Sequence, residues 1–337
     1  MSNLDKVLGN RRIKDYITRA VRLNRISHSY MIEGEKGSGK KMLAECFSRI
    51  LQCEGEGELD CGVCTSCRQV DHGNHPDVIH VVHEKPNTIT VNDVREQIVN
   101  TADILPYKAP YKIYIIDEAE KMNDEAQNAL LKTIEEPPSY VIIFLLVTSR
   151  GAMLETIQSR CVLLPAAPVA REDILTCLKD ISGQGKRDLT DDQLSFAAGY
   201  AMGNVGKALE AISSEDFEIH REEALQILRN VQEGTSDQMA AFAKTIVQDK
   251  MDAGLMLDFF LVWYRDLLVL KAGDLDDRII FREEEITLEG QARCLSFRAL
   301  ETLLREIART RDRLRANVNA EAAILLLLIR MHQEYTI

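Results

Sequence analysis

The pattern of apolar and polar positions divides the chain into two regimes. Up to about residue 165, short apolar runs alternate with amphipathic stretches, the pattern of strands alternating with helices. Strands are predicted at 29–32, 78–82 and 112–116. The unbroken apolar run Val141-Ile142-Ile143-Phe144-Leu145-Leu146-Val147 predicts a strand buried on both faces, as in the middle of a parallel sheet. Helices are predicted over 11–23, introduced by Leu8-Gly9-Asn10, over 40–51, over 92–102 with Asn92 as cap, and over 124–135, stopped by Pro137-Pro138. From about Pro168 the strand signals vanish. Segments 171–181, 190–200 and 205–212 form a small helical unit, with Gly203 breaking the last two. Residues 214–337 read as almost wholly helical, interrupted by charged loops at 274–277 and at Glu283-Glu284-Glu285. The expected fold class is α/β: a P-loop core with a parallel sheet over 1–165, a small helical domain over 166–213 and an all-α domain over 214–337. No repeat or low-complexity tract is evident.

The chain of 337 residues carries a net charge of −12, which makes it a poor general binder of phosphate backbones. No run of about 18 apolar residues is present, so no membrane span is expected. The first residues, from Met1 to Lys6, lack the apolar centre of a signal peptide, and a cytoplasmic location is expected. The eight cysteines are then not a disulfide framework. Cys46, Cys161, Cys177 and Cys294 are scattered and read as small buried hydrophobes. The other four are clustered.

The chemistry starts at Gly34-Glu35-Lys36-Gly37-Ser38-Gly39-Lys40, which fits G-x-x-x-x-G-K between a strand and a helix. Backbone amides there, with Gly34, Gly37, Gly39 and Lys40, are set to cradle phosphates at a helix N-terminus. The bland alternative is a glycine-rich turn that binds nothing. The next position should carry a hydroxyl for Mg²⁺, and Lys41 stands there instead. An ammonium has no lone pair for a metal. The phosphate cradle is present and the metal hook is missing, which predicts weakened or lost hydrolysis. Ile115-Ile116-Asp117-Glu118 reads as a Walker B strand end, in which Asp117 serves Mg²⁺ through water and Glu118 polarises the attacking water. Its alternative is a pair of solvated carboxylates. Thr148 ends the apolar strand beside the expected phosphates; it reads equally as a γ-phosphate sensor or as a turn residue.

Cys53, Cys61, Cys64 and Cys67 put four thiols within a Gly-rich insertion at about 52–76. Four thiolates suit a structural, tetrahedral Zn²⁺. An iron–sulfur cluster is the rival, but the ferredoxin run continues with a downstream Cys-Pro, whereas here the fourth thiol lies upstream. Ser159-Arg160-Cys161 follows a short helix. Taken alone, Arg160 is a surface residue in an ion pair; an arginine finger reaching a neighbour's γ-phosphate is the sharper reading. A zinc-module DNA-binding protein is a further reading, weakened by the acidic charge and by the few basic neighbours of the cluster beyond Arg68.

Together these motifs resemble the AAA+ clamp-loader subunits of bacterial DNA polymerase III. The resemblance rests on Ile116-Asp117-Glu118-Ala119-Glu120-Lys121-Met122, on Ala129-Leu130-Leu131-Lys132 with Glu135-Glu136-Pro137-Pro138, and on Phe144 to Thr148. It also rests on Ile157-Gln158-Ser159-Arg160-Cys161 and on the cysteine insertion followed by His75-Pro76-Asp77. It covers the whole chain, strongly to about residue 165 and more weakly beyond. The motor branch, tau/gamma, carries Ser or Thr where Lys41 stands and an Arg where Gly206 stands in Gly203-Asn204-Val205-Gly206-Lys207-Ala208-Leu209. With both gone and Arg160 kept, the sequence resembles the delta-prime branch, as do Trp263-Tyr264-Arg265-Asp266-Leu267-Leu268 and Asn317-Val318-Asn319-Ala320-Glu321.

The resemblance implies an AAA+ core, a helical lid and a helical collar that joins motor subunits and a delta subunit in a hetero-pentamer. It implies action on the sliding clamp and primed DNA through that complex, as part of a polymerase holoenzyme. It also implies little or no ATPase activity of the chain's own, with Arg160 as finger in trans and Glu118 vestigial or weak. Intact Asp117 and Glu118 leave ADP or ATP binding open. The alternative within the family is a divergent tau/gamma-type motor ATPase.

Overall fold

The structure, a computed structural model, describes residues 3–55, 59–183, 189–248, 253–273, 278–316 and 318–336. The expected loop at 274–277 and Asn317 lie outside the described residues. The chain separates into two compact units, Met1–Asp180 with Ala201–Lys207, and Ile181–Tyr200 with Ala208–Ile337.

The first unit is built on a five-stranded sheet: β1 (Ser29–Glu33), β2 (Val78–His80), β3 (Lys112–Ile116), β4 (Val141–Val147) and β5 (Val162–Pro165), in the order β2-β3-β4-β1-β5. Every pairing is parallel, and Tyr30 of β1 lies opposite Phe144 of β4 and Val162 of β5. Successive side chains of a strand point to opposite faces, and two cores result. Tyr30, Ile32, Phe144 and Leu146 face Ile13 and Ile17 of helix Arg11–Arg22 and Phe47 of helix Lys40–Gln52. The rings of Tyr30 and Phe144 stack with centroids 5.3 Å apart, and Phe47 meets both edge-on. Met31, Tyr114, Ile143 and Leu145 face the other way, onto Leu130 and Ile134 of helix Asp124–Glu135. The β4 run is buried throughout, as its lack of alternation requires.

The local chemistry of the chain explains most departures from expectation. The helix expected to start at Asn92 is capped by Thr90, whose hydroxyl accepts from the Asp93 amide while the Asp93 carboxylate accepts from the Thr90 amide. That reciprocal box outcompetes Asn92 as a cap. A π-type turn, Arg95–Val99, interrupts the same helix. Strand β2 stops at His80 because Val82 turns aside, its amide and carbonyl both taken by the Gln97 side chain. Strand β5 and the short helix Thr65–Asp71 had no signal of their own in the sequence.

The second unit is helical, and its core holds Phe196, Tyr200, Phe217, Phe259, Trp263 and Phe281, with Tyr200 and Phe259 centroids 5.1 Å apart. Gln291 is its buried polar hub, accepting from Trp263 and Tyr335 and donating to the Leu228 carbonyl. Glu283-Glu284-Glu285 is not a loop: Glu285 opens helix Glu285–Cys294, and Glu284 is buried against the Arg229 guanidinium. Among the scattered cysteines, Cys46 is buried, Cys161 and Cys177 are half-buried, and Cys294 is exposed, contrary to expectation.

Candidate functional site

The P-loop follows β1 and opens helix Lys40–Gln52, so its amides gather at a helix N-terminus over the carboxyl end of the sheet. Gly37 and Gly39 have φ of 86° and 84°, left-handed values that glycine adopts without steric cost. Gly37, Gly39, Lys40, Lys41, Asp117, Glu118 and Thr148 line one cavity of about 380 Å³, together with Lys36 and Glu120. Gly34 lies under the loop, its amide donating to the Val147 carbonyl at 3.0 Å. The residues predicted for a nucleotide site are therefore brought together.

Within that cavity several groups are occupied by the protein itself. The Lys40 ammonium donates to the carbonyls of Gly34 and Glu35 at 2.7 and 2.9 Å. Burial pulls its pKa below the ordinary lysine range, against the opposing pull of Glu120, Asp117 and Glu118. Glu118 stands in a left-handed backbone conformation, φ 48°, and accepts a 2.6 Å hydrogen bond from Lys121, which holds its carboxyl below the usual range. The Thr148 amide donates to Glu120 at 3.2 Å. Segment Ala201–Lys207 closes on the loop: Asn204 donates to the Lys36 carbonyl at 2.8 Å, and the Gly206 amide donates to the Gly37 carbonyl at 2.9 Å.

The cysteine insertion forms the second constellation. The sulfurs of Cys53, Cys61, Cys64 and Cys67 all lie within 4.8 Å of one another. Backbone amides point at all four: Gly55 and Cys61 donate to Cys53, Cys64 to Cys61, and Cys67 to Cys64, all at 3.3–3.4 Å, and the Gly62 amide faces Cys67. Amides of Val63 and Cys64 bring the Cys61 thiol down to about 6. Cys64 feels desolvation that pushes it up, yet hydrogen bonds from the Cys67 and Glu54 amides leave it below its ordinary value. Burial pushes Cys53 and Cys67 up, a cost that a cation among the sulfurs would offset. A convergent, amide-stabilised set of four thiols fits a metal ion.

The module is pinned by residues that sequence reasoning passed over. Arg49 projects from the P-loop helix and pairs with Asp60, inside the cysteine run, and with Asp71, just beyond it; the Arg49 and Asp60 side chains are 3% and 1% exposed. The buried His75 accepts at Nδ1 from the Asp77 amide, so its Nε2 carries the proton and donates to Ser66. Desolvation lowers its pKa and keeps the ring neutral. Asp77 accepts from three consecutive amides, Tyr107, Lys108 and Ala109, at 2.5, 2.9 and 3.0 Å. In His75-Pro76-Asp77, which the sequence offers only as part of a family resemblance, His75 and Asp77 both do structural work.

Arg160 is not among the residues lining the cavity. Its guanidinium meets Glu135 at 2.9 Å, the Thr156 carbonyl at 2.9 Å and the Ser159 hydroxyl at 3.3 Å, with 40% of the side chain exposed.

Sheet, P-loop and cysteine module define a P-loop α/β protein with a four-cysteine insertion that could hold a metal ion. A family model described as "DNA polymerase III, delta subunit" matches residues 9–170. Subunit delta' of DNA polymerase III from Bacillus subtilis is 25% identical over 332 residues, covering 96% of each chain. Subunit gamma from Buchnera aphidicola is 31% identical over 208 residues, 61% of this chain and 56% of that one. Subunit tau from Escherichia coli is 27% identical, with 47% of its length covered. The chain thus spans about half the length of the gamma and tau relatives it matches. Among solved structures it is similar to a gamma subunit-related protein of Thermotoga maritima, at 18% identity and a TM-score of 0.43 over 95% of this chain and 99% of that one. It is also similar to the RuvB Holliday junction branch migration motor of the same organism, at 13% identity and a TM-score of 0.45 over 99% and 89%. Residues 9–170 thus match the DNA polymerase III delta subunit family model, and the chain is similar along nearly its whole length to a delta' subunit and more partially to tau and gamma. Among the described residues no helix is long and apolar enough to cross a membrane.

Proposed function

We propose that the chain is the delta-prime-type subunit of a clamp loader, a scaffold and arginine-finger donor rather than a motor. The observation that carries this reading is the P-loop closed by its own chain. Gly206, where the motor branch has a sensor Arg, donates its amide to Gly37, and Lys41 stands where Mg²⁺ needs a hydroxyl. The alternative, a divergent tau/gamma-type motor ATPase, draws on Asp117, Glu118 and Thr148, which still line the cavity. In the proposed division of labour, residues 166–213 act as a lid and 214–337 as a collar that joins motor-type and delta-type subunits in a hetero-pentamer. That assembly opens a sliding clamp and places it on primed DNA with ATP hydrolysed at neighbouring sites. Arg160 serves one of those sites in trans, where a planar guanidinium at the γ-phosphate contributes about 10³-fold or more. The metal of the four-cysteine module is Zn²⁺, closed and structural. ADP or ATP in the P-loop cavity would be held by Lys40 and the loop amides without hydrolysis.

The test is Arg160→Ala in a reconstituted complex, assayed with clamp and primed DNA. The complex should assemble as wild type and lose most of its stimulated ATPase and clamp loading, and Arg160→Lys should rescue poorly because a point charge cannot reproduce the planar fork. Wild-type turnover in a fully assembled Arg160→Ala complex would return Arg160 to an ordinary surface ion pair.

A further inference from the structure

We infer that Glu135 is the positioning residue for Arg160, an inference that rests on the finger reading above. Glu135 is the last residue of helix Asp124–Glu135. A carboxylate there faces the negative end of the helix dipole and is disfavoured, so helix stability does not account for it. Pro137 and Pro138 end the helix just beyond, which fixes Glu135 at this corner of the core. From there its Oε1 meets Arg160 Nη2 at 2.9 Å. Arg160 Nη1 is held on another side by the Thr156 carbonyl and the Ser159 hydroxyl. An exposed arginine otherwise samples many rotamers, and that side-chain entropy must be lost when it engages a phosphate. Three contacts from two elements fix the guanidinium beforehand, and its five N–H donors leave some over for an incoming anion. The Glu135-Glu136-Pro137-Pro138 stretch thereby acquires a job: the prolines place the carboxylate and the carboxylate aims the finger.

The experiment is a double-mutant cycle in the reconstituted complex, with steady-state ATPase measured against ATP concentration in the presence of clamp and primed DNA. Glu135→Ala and the isosteric Glu135→Gln should each lower kcat by about two- to fivefold, the range expected of an exposed ion pair, with KM unchanged. In the Arg160→Ala background Glu135→Ala should have no further effect, because a residue that acts through Arg160 has nothing left to aim. A Glu135→Ala complex with unchanged or raised kcat overturns the inference, as does a double variant lower than Arg160→Ala by the factor Glu135→Ala shows alone. Those results leave the finger reading standing, provided Arg160→Ala itself is impaired. An unimpaired Arg160→Ala overturns the finger reading and this inference with it.

Discussion

The backbone of Gly206 rests directly on the backbone of Gly37: a Cβ at position 206 would stand 2.5 Å from the Gly37 Cα and 2.9 Å from its carbonyl oxygen. Gly206 is therefore a fitted part. It lets the start of helix Val205–Ser213 touch the phosphate loop and hydrogen-bond to it directly. Gly206→Ala gains helix propensity but must push apart two main chains, and overpacking of this kind costs on the order of 1–3 kcal/mol. Urea unfolding should show the loss, and hydrogen exchange should show faster exchange at Asn204 and Gly206. Gly206→Arg should carry the same penalty and should not confer hydrolysis, since Lys41 remains.

Removing Arg49 should damage the cysteine module from outside it. Asp60 is nearly inaccessible, and truncating its partner leaves a carboxylate in the interior without its guanidinium. Breaking such a buried pair costs about 3–5 kcal/mol. Arg49→Ala should lower the unfolding free energy by an amount of that order, whereas Arg305→Ala, which breaks an exposed ion pair with Glu301, should change it by under about 1 kcal/mol.

The metal prediction is direct. Elemental analysis should find one zinc per chain, and Cys64→Ser should lower the metal content while the parallel sheet stays folded, because the sheet's cores stand mainly on strand and helix residues such as Tyr30, Phe144 and Leu145, to which the insertion adds Val70 and Leu59. Iron with acid-labile sulfide would contradict the zinc assignment.

Asp77 offers a test that leaves the metal ligands untouched. Its carboxylate takes three successive amides, and hydrogen bonds to a charged group contribute about 1.5–3 kcal/mol each. Asp77→Asn keeps one carbonyl acceptor and should destabilise by less than Asp77→Ala. Amide exchange at Tyr107, Lys108 and Ala109 should accelerate in that order of severity.

Local signals in the sequence carried four of the five strands, the P-loop and the cysteine cluster, while long-range pairings stayed hidden. Val141–Val147 announced a central strand because burial on both faces leaves no polar position, and the P-loop and the four cysteines are short-range patterns whose spacing is their geometry. Arg49 gave no such signal. Its partners lie 11 and 22 residues away, and only the folded insertion brings them to one guanidinium. The Arg160–Glu135 contact joins two stretches that sequence reading noted separately and had no means to join. Asn92 lost to Thr90 because capping depends on a reciprocal bond with Asp93, which composition alone does not reveal. Glu285 looked like loop in a run of three acids, yet Arg229 neutralises its neighbour Glu284 and allows the helix to begin there.

The central claim, that this chain lends a finger and does not burn ATP itself, is tested most directly by steady-state ATPase of the purified chain alone. Loss of the metal hydroxyl and of the sensor arginine removes groups that stabilise phosphoryl-transfer charge, together about 10³-fold or more. The expected result is turnover at background, identical in wild type and Lys40→Ala. Turnover on the order of one per second, abolished by Lys40→Ala, is motor-like behaviour at the scale of phosphoryl-transfer enzymes and would contradict the account.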